Sequence, residues 1–384
     1  MRREYRVKDL AAMKDSCYTL FQKTGGFIRG ICHPKGRADL LLQMGLRWVR
    51  LDLPFPYGDN GSVTEAYRDF KASCRAYAQQ GLSSIVVTPY PKAFIHHGID
   101  VTTAYGLAEV SRICAWVAAD FSAFKICWQA TNEMHIPHFR APLTAVQAKD
   151  FVIASITGLR RGNSSAAIGH NSVHYGWEAL CHEIQRQAPG DYIGLDCYDG
   201  TWSEGGVDTY LEKIDLVYET LRMPVILMEF GFASQGGNRG ISPQEANAYF
   251  ESNGLASLEH ALRSPALLKN VVPAKLGALF DAVAPVDLQE CVLSCIQHLL
   301  KRWPYPGDIP HTETGQADFY ARLLPKLLNH HAVGGAVIYC WQDSETCFLC
   351  GEADCPCETA WGLTRKDGRL KPAAAAVKQA FQQT

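Results

Sequence analysis

A (β/α)8 barrel, an α/β fold of eight parallel strands closed on themselves, is what these 384 residues predict, and three observations lead to it. Short apolar runs alternate with segments of helical period almost from end to end. The runs lack the apolar–polar alternation of a half-exposed strand, which fits strands buried on both faces. Eight of them can be counted, each followed by a helix, and right-handed crossovers repeated eight times close a sheet into a barrel. An open doubly wound sheet competes. The turn after the first strand, Cys32-His33-Pro34-Lys35-Gly36, lacks the G-x-G-x-x-G of a phosphate-binding turn, and this favours the barrel.

The elements follow in order. Residues 26–33 (GFIRGICH) form the first strand, and 37–44 a short helix that Gly45 stops. The second strand is 48–53 (WVRLDL); Ser62-Val63-Thr64-Glu65 reads as a capping box before a helix with Phe70, Cys74 and Tyr77 on one face. Strand three, 84–87, is rich in β-branched residues, and Leu107, Val110, Cys114 and Val117 mark its helix. Strand four is 125–131 (KICWQAT), with a helix from about Thr144. Strands five and six are 166–171 and 192–197, and Val207, Leu211, Ile214, Tyr218 and Leu221 share one side of the helix after them. Strand seven is 224–230 (PVILMEF), strand eight 335–341 (GAVIYCW), and a last helix spans roughly 372–381.

Two stretches break this rhythm inside what reads as a single catalytic domain over 1–384. Residues 235–311, between strand seven and its helix, are too many for a plain loop and carry helical spacing (Leu255, Leu258, Leu262; Leu293, Ile296, Leu299, Leu300), so a helical insertion is expected. Residues 346–359, after strand eight, form a Cys-rich loop.

Composition narrows the function classes. The apolar fraction of 47% and charged fraction of 20% are those of a globular chain. A formal charge of −2 with no basic block argues against nucleic acid or an anionic membrane as partner. No apolar run approaches the ~20 residues of a spanning helix. The start, Met1-Arg2-Arg3-Glu4-Tyr5-Arg6, has no apolar stretch behind it, and several of the 14 Cys sit inside apolar runs. The expectation is a reduced, cytoplasmic protein. Nothing in the sequence fixes its oligomeric state.

Reactive residues of such a barrel come from the C-terminal strand ends. Strand two contributes Arg50 and Asp52, strand four ends in Asn132-Glu133, strand six in Tyr198, strand seven in Glu229 and strand eight in Trp341. Burying an ionised carboxylate costs several kcal/mol unless it is paired. Either Glu alone could serve as a structural partner for an Arg such as Arg50. Two of them ending otherwise apolar strands and facing one cleft suggest a carboxyl pair, one protonated and one ionised.

The strings WVRLDLPF, QATNEMH, LDCYDGTW, VILMEFGFAS and IYCWQD resemble the strand ends of clan A glycoside hydrolases, retaining barrel glycosidases of the cellulase/mannanase-like or β-galactosidase-like branches. The resemblance covers nearly the whole barrel and is most specific at Asn132-Glu133 and Glu229; the tail GLTRKDGRLKPAAAAVKQAF adds weakly to it. It implies Glu133 as general acid/base and Glu229 as nucleophile in a double displacement on β-glycosidic bonds. It further implies Asn132 on the sugar 2-hydroxyl, Arg50 and Tyr198 on Glu229, and Trp341 as the floor under the reacting sugar. Many members carry a His at the end of strand three, where this chain has Thr88-Pro89-Tyr90. The cellulase-like branch often has a His two residues before the strand-six Tyr, where Asp196 stands here. Many relatives have Pro two positions after the Arg; here it comes later, as Pro54. These departures touch the family and the sugar.

Asp52 either binds sugar hydroxyls bidentately or pairs with an Arg. His33, His96, His97, His135, His138, His170 and His174 lie near strand ends, and His33 and His170, directly at the ends, are the expected substrate ligands among them. Trp128, Trp202 and Tyr90 either line subsites or belong to the core. Cys347-x2-Cys350-x4-Cys355-x-Cys357 places four thiols in one loop, either a closed structural zinc site or four unrelated thiols.

The function expected is therefore a retaining β-glycosidase acting on a carbohydrate, with no cofactor for catalysis. A glycan-binding barrel without catalysis and a transglycosylase using the same residues are the alternatives. A metal-dependent barrel hydrolase fits poorly, since such enzymes often open with His-x-His and strand one ends Ile31-Cys32-His33. The lack of a visible leader favours small oligosaccharides, and the insertion, walling one end of the cleft, favours exo action.

Overall fold

A computed structural model describes residues 17–173, 176–236, 242–300, 307–353, 355 and 357–382. Eight parallel strands pair in sequence order and close, with β8 hydrogen-bonded to β1. They are β1 (Ile28–Cys32), β2 (Trp48–Asp52), β3 (Ser83–Val87), β4 (Ile126–Gln129), β5 (Ala167–His170), β6 (Tyr192–Cys197), β7 (Val225–Phe230) and β8 (Val333–Ile338). The chain is thus a (β/α)8 barrel. The apolar runs predicted the strands because both faces are buried. The largest difference is β8, which begins at Val333 rather than 335 and ends at Ile338 rather than 341.

Side chains alternate across each strand. Inside the barrel, Ile28, Trp48, Ile85, Cys127, Tyr192, Ile226 and Val337 pack together. The opposite faces meet the helices: Val49, Leu195, Val225, Leu227 and Ile338 pack against helices Val207–Leu221, Glu313–Asn329 and Pro372–Gln382. Each such aliphatic side chain, fully buried, contributes about 1.5–3 kcal/mol. Helices Ala104–Asp120 and Ala145–Gly162 approach so closely that a Cβ on Gly158 would lie 2.2 Å from the carbonyl oxygen of Ser111.

Helix starts follow from hydroxyl caps. Thr103 accepts from the Gly106 N–H, and Thr144 forms a full capping box with Gln147. Before helix Glu65–Gln79 the cap is Thr64, accepting from the Tyr67 N–H. Ser62, the expected cap, instead closes a turn on the Asn60 side chain.

Between β7 and helix Glu313–Asn329 the chain forms helices Pro243–Ser252, Leu258–Arg263, Pro265–Val271, Ala274–Ala282 and Leu288–Leu300. They share an apolar cluster, including Phe250, Leu268, Leu276, Val292 and Ile296, which Ala141 and three cysteines of the loop after β8 join. Arg140, after β4, is buried and reaches Asp287 at 2.9 Å and Glu290 at 3.1 Å, tying this helical unit to the barrel mouth. Among the described residues, no helix is long and apolar enough to cross a membrane.

Candidate active site

The C-terminal strand ends surround a cavity of about 500 Å³. At its base lies Arg50, on β2, buried and pointing into the barrel two residues beyond Trp48. All three of its nitrogens donate. Nε donates to Gln129 Oε1 at 2.8 Å, Nη1 to Glu229 Oε1 at 2.7 Å and Nη2 to Asn132 Oδ1 at 2.6 Å. A planar guanidinium suits this bridge from β2 to β4, the loop after it, and β7.

Glu229 sits where the β7 register changes. Leu195 pairs with Leu227 but Asp196 pairs with Glu229, so Met228 is an extra residue in β7. Such a bulge re-aims the side chains around it. Met228 packs inside the barrel, and Glu229, directly after it, also faces the site. Tyr198 donates its phenol to Glu229 Oε2 at 2.6 Å. Burial, then the Glu229 charge, push that phenol well above its ordinary pKa, so it stays a donor. Both Glu229 oxygens are thus held by charge-assisted hydrogen bonds.

Glu133 faces Glu229 from the loop after β4. Its backbone is in the left-handed region, with φ 45°, as is that of Thr131, with φ 61°. This conformation is rare for residues with a side chain and is held by surrounding bonds. The Glu133 N–H donates to Asn171 Oδ1 at 2.9 Å, and its carbonyl accepts from Ile136 N–H at 2.8 Å. Burial, and after it the charge of Glu229, raise the Glu133 carboxyl to about 8, with Arg50 opposing. Near neutral pH it therefore carries its proton.

Asn132 Oδ1 accepts from Arg50, from Gln129 Nε2 at 2.9 Å and from Asn171 Nδ2. Three donors on one oxygen fix the amide orientation, leaving Nδ2 as a donor beside Glu133 Oε2, 3.4 Å away. Asn171 also donates to Asp196 Oδ2 at 2.6 Å. Burial first, then the charge of Glu229, lift the Asp196 carboxyl well above its ordinary range. Gly194 makes room for this pair: a Cβ there would lie 2.7 Å from the Asn171 Cβ.

Glu133, Glu229, Arg50, Asp52, Asn132, Tyr198 and His33 thus all line one cavity. Three expectations need correction. Trp341 does not form the floor; it is buried in the outer core and its backbone N–H donates to Cys32 O. Because β8 ends at Ile338, the first residue past the strand is Tyr339, and Tyr339 lines the cavity, edge-on to Tyr198 at 6.0 Å and to His33 at 5.7 Å. Trp361, 5.0 Å from Tyr198, lines it too. His170 is buried away from the cavity, and burial lowers its pKa to about 4. Strand alternation turns His170 off the site and brings in Asn171, one residue on. Cys357 does not join the other three thiols; it packs with Ala233 and Trp361 near the barrel mouth. The place beside Cys347, Cys350 and Cys355 is taken by His298, from helix Leu288–Leu300.

Of the remaining candidates, His138, Tyr90 and Trp202 line the cavity, and Trp128 is core. His97 stacks on Phe55, and His174 lies outside the described residues. Glu358, Ser294, Gln297 and His298 also line the cavity. They come from the Cys-rich loop and the helical unit after β7, which the barrel pattern does not place.

No family model matches the chain, and no curated protein matches its sequence. Among solved structures it is similar to a glycoside hydrolase of family 5, subfamily 18, from Streptomyces cattleya, crystallised with GlcNAc: TM-score 0.57, 15% identity, over 98% of this chain and 75% of that one. A β-glucuronidase from an uncultured Clostridium matches with TM-score 0.54 and 14% identity, over 94% of this chain and 50% of that one. A family 39 glycoside hydrolase from Bacteroides cellulosilyticus matches with TM-score 0.52 and 14% identity, over 93% and 64%. The chain thus spans between half and three quarters of these neighbours' own length. The likeness is one of fold, a barrel that this chain shares with glycoside hydrolases.

Proposed function

We propose that the protein is a retaining β-glycosidase in which Glu229 is the nucleophile and Glu133 the acid/base. The observation that carries this reading is the unequal treatment of two facing carboxyls. Glu229 is held by Arg50 and Tyr198, whereas burial and the Glu229 charge keep Glu133 protonated. A pair set apart in this way divides the two roles that glycoside cleavage needs.

In the first step a Glu229 oxygen attacks the anomeric carbon, the bond to the aglycone oxygen breaks, and the Glu133 proton goes to that oxygen. In the second step water attacks the same carbon, its proton passes to the Glu133 carboxylate, and the ester to Glu229 breaks. Two inversions retain the configuration. Asn132 Nδ2 donates to the 2-hydroxyl, Tyr339 offers an aromatic face to the sugar, and Asp52, exposed at the rim, accepts from sugar hydroxyls. Ser294 and Gln297 wall one side of the cavity, which favours short ligands and exo action. Two solved structures of the family 5 neighbour contain GlcNAc and Manβ1-4GlcNAc, which is consistent with a carbohydrate ligand for this cavity.

The test is hydrolysis of aryl β-glycosides (glucoside, galactoside, mannoside, xyloside, fucoside, glucuronide) by wild type and by Glu229→Ala. Turnover of at least one sugar that vanishes in the variant is expected, with a retained product by NMR. Equal activity in the variant removes Glu229 as nucleophile, and an inverted product removes the double displacement.

A further inference from the structure

We propose that His298, Cys347, Cys350 and Cys355 form a tetrahedral zinc site that clamps the helical unit after β7 to the loop after β8, fixing one wall of the cavity. The four side chains are buried, and their ligand atoms lie within 4.8 Å of one another. Zinc bonds of about 2.3 Å to sulfur and 2.0–2.1 Å to nitrogen, meeting at the tetrahedral angle, put S and N about 3.6 Å apart. Cys347 Sγ and His298 Nε2 are 3.6 Å apart.

The local backbone is built for thiolates. The Cys350 N–H points at Cys347 Sγ, 3.3 Å away, a bond that stabilises negative sulfur. Gly351, with φ 82°, turns the chain, and its N–H returns to Cys347 O at 2.9 Å. Three thiolates and a dication leave one net negative charge, and Lys275 reaches over this turn to the Phe348 carbonyl. All three cysteines are free thiols. A disulfide would use two of them and leave a third thiol and an imidazole buried together without a purpose.

Four protein ligands leave no open position, so the metal is structural. Its effect reaches the cavity all the same. His298 lines the cavity and lies 5.7 Å from the Trp202 ring, while Phe348 and Leu349, between two ligands, line it as well. The metal would add a covalent cross-link between these packed segments at the point where they form the wall.

Metal content is read without any glycosidase assay, so this inference and the proposed function fail independently. The full chain, expressed with zinc and dialysed, should hold a single zinc per chain. X-ray absorption should show three sulfurs at about 2.3 Å and one nitrogen at about 2.0–2.1 Å. His298→Ala should lose the metal. Because that variant could fail to fold, His298→Cys serves beside it and should stay folded with an all-sulfur shell. Cys357→Ser should keep both the metal and the wild-type shell. A folded, reduced wild type without zinc would overturn the proposal, as would a shell without nitrogen in the wild type or loss of metal in Cys357→Ser.

Discussion

Burial opposite another carboxylate raises the Glu133 carboxyl, and the proposed acid role then has two measurable consequences. Its carboxyl is raised from 4.5 to about 8, so the acid form is present below about pH 8 and lost above it. Accordingly kcat/KM should fall as pH rises through about 8, and Glu133→Gln should lack this limb while losing most activity on glycosides with poor leaving groups. The stability effect runs the same way. A raised carboxyl binds more protons folded than unfolded, so its contribution to stability declines between about pH 4.5 and pH 8. Glu133→Gln should therefore melt a few degrees above wild type at pH 8, with the gain vanishing near pH 4.5, as scanning calorimetry would show; an equal gain at both pH values would contradict this. Tyr198→Phe removes a bond to a charged oxygen worth about 1.5–3 kcal/mol. Glu229 regains its charge as the ester breaks in the second step, so that bond strengthens toward the second transition state, and steady-state kinetics should show kcat lower by about 10- to 100-fold with a lower KM. At this scale the sequence was legible wherever a charged residue ended an apolar strand, as at Arg50, Glu133 and Glu229. It misled at His170, where one residue of register decides which side of a strand faces the site, and at Trp341, because β8 ends at Ile338 and Tyr339 follows it directly.

Elements place those residues, and their packing is testable away from the chemistry. Helices Ala104–Asp120 and Ala145–Gly162 approach backbone to backbone at Gly158 and Ser111. Gly158→Val would drive carbon into the Ser111 carbonyl and should destabilise by about 1–3 kcal/mol, as overpacking does. Urea unfolding measures it, and an unchanged midpoint would show that the two helices separate freely. The strands were legible because parallel strands buried on both faces leave uninterrupted apolar runs. Helix caps were less so: Ser62 and Thr64 are both competent hydroxyls, and the tertiary position of the helix selects Thr64. The bulge at Met228 has no signature in the string VILMEF, yet it sets the aim of Glu229.

The molecule as a whole is a barrel whose mouth is finished by two additions, the helical unit after β7 and the Cys-rich loop after β8. The barrel could be counted from the sequence, since each β/α unit repeats the same pattern. The joining of the additions could not. His298 and Cys347 stand 49 residues apart and meet only through tertiary packing, and the four-thiol pattern pointed to Cys357 instead. Arg140 is likewise 147 residues from Asp287, its buried partner. All of this geometry converges on a claim about one atom pair, a bond between a Glu229 oxygen and an anomeric carbon. The direct measurement is peptide mass spectrometry after incubation with activated 2-deoxy-2-fluoro β-glycosides of the six sugars in the aryl panel, which slow both steps but favour accumulation of the intermediate. The account predicts a glycosyl adduct on the peptide containing Glu229, formed with the sugar that wild type hydrolyses. An adduct on another residue, or turnover of that sugar with inverted configuration and no adduct, would contradict it.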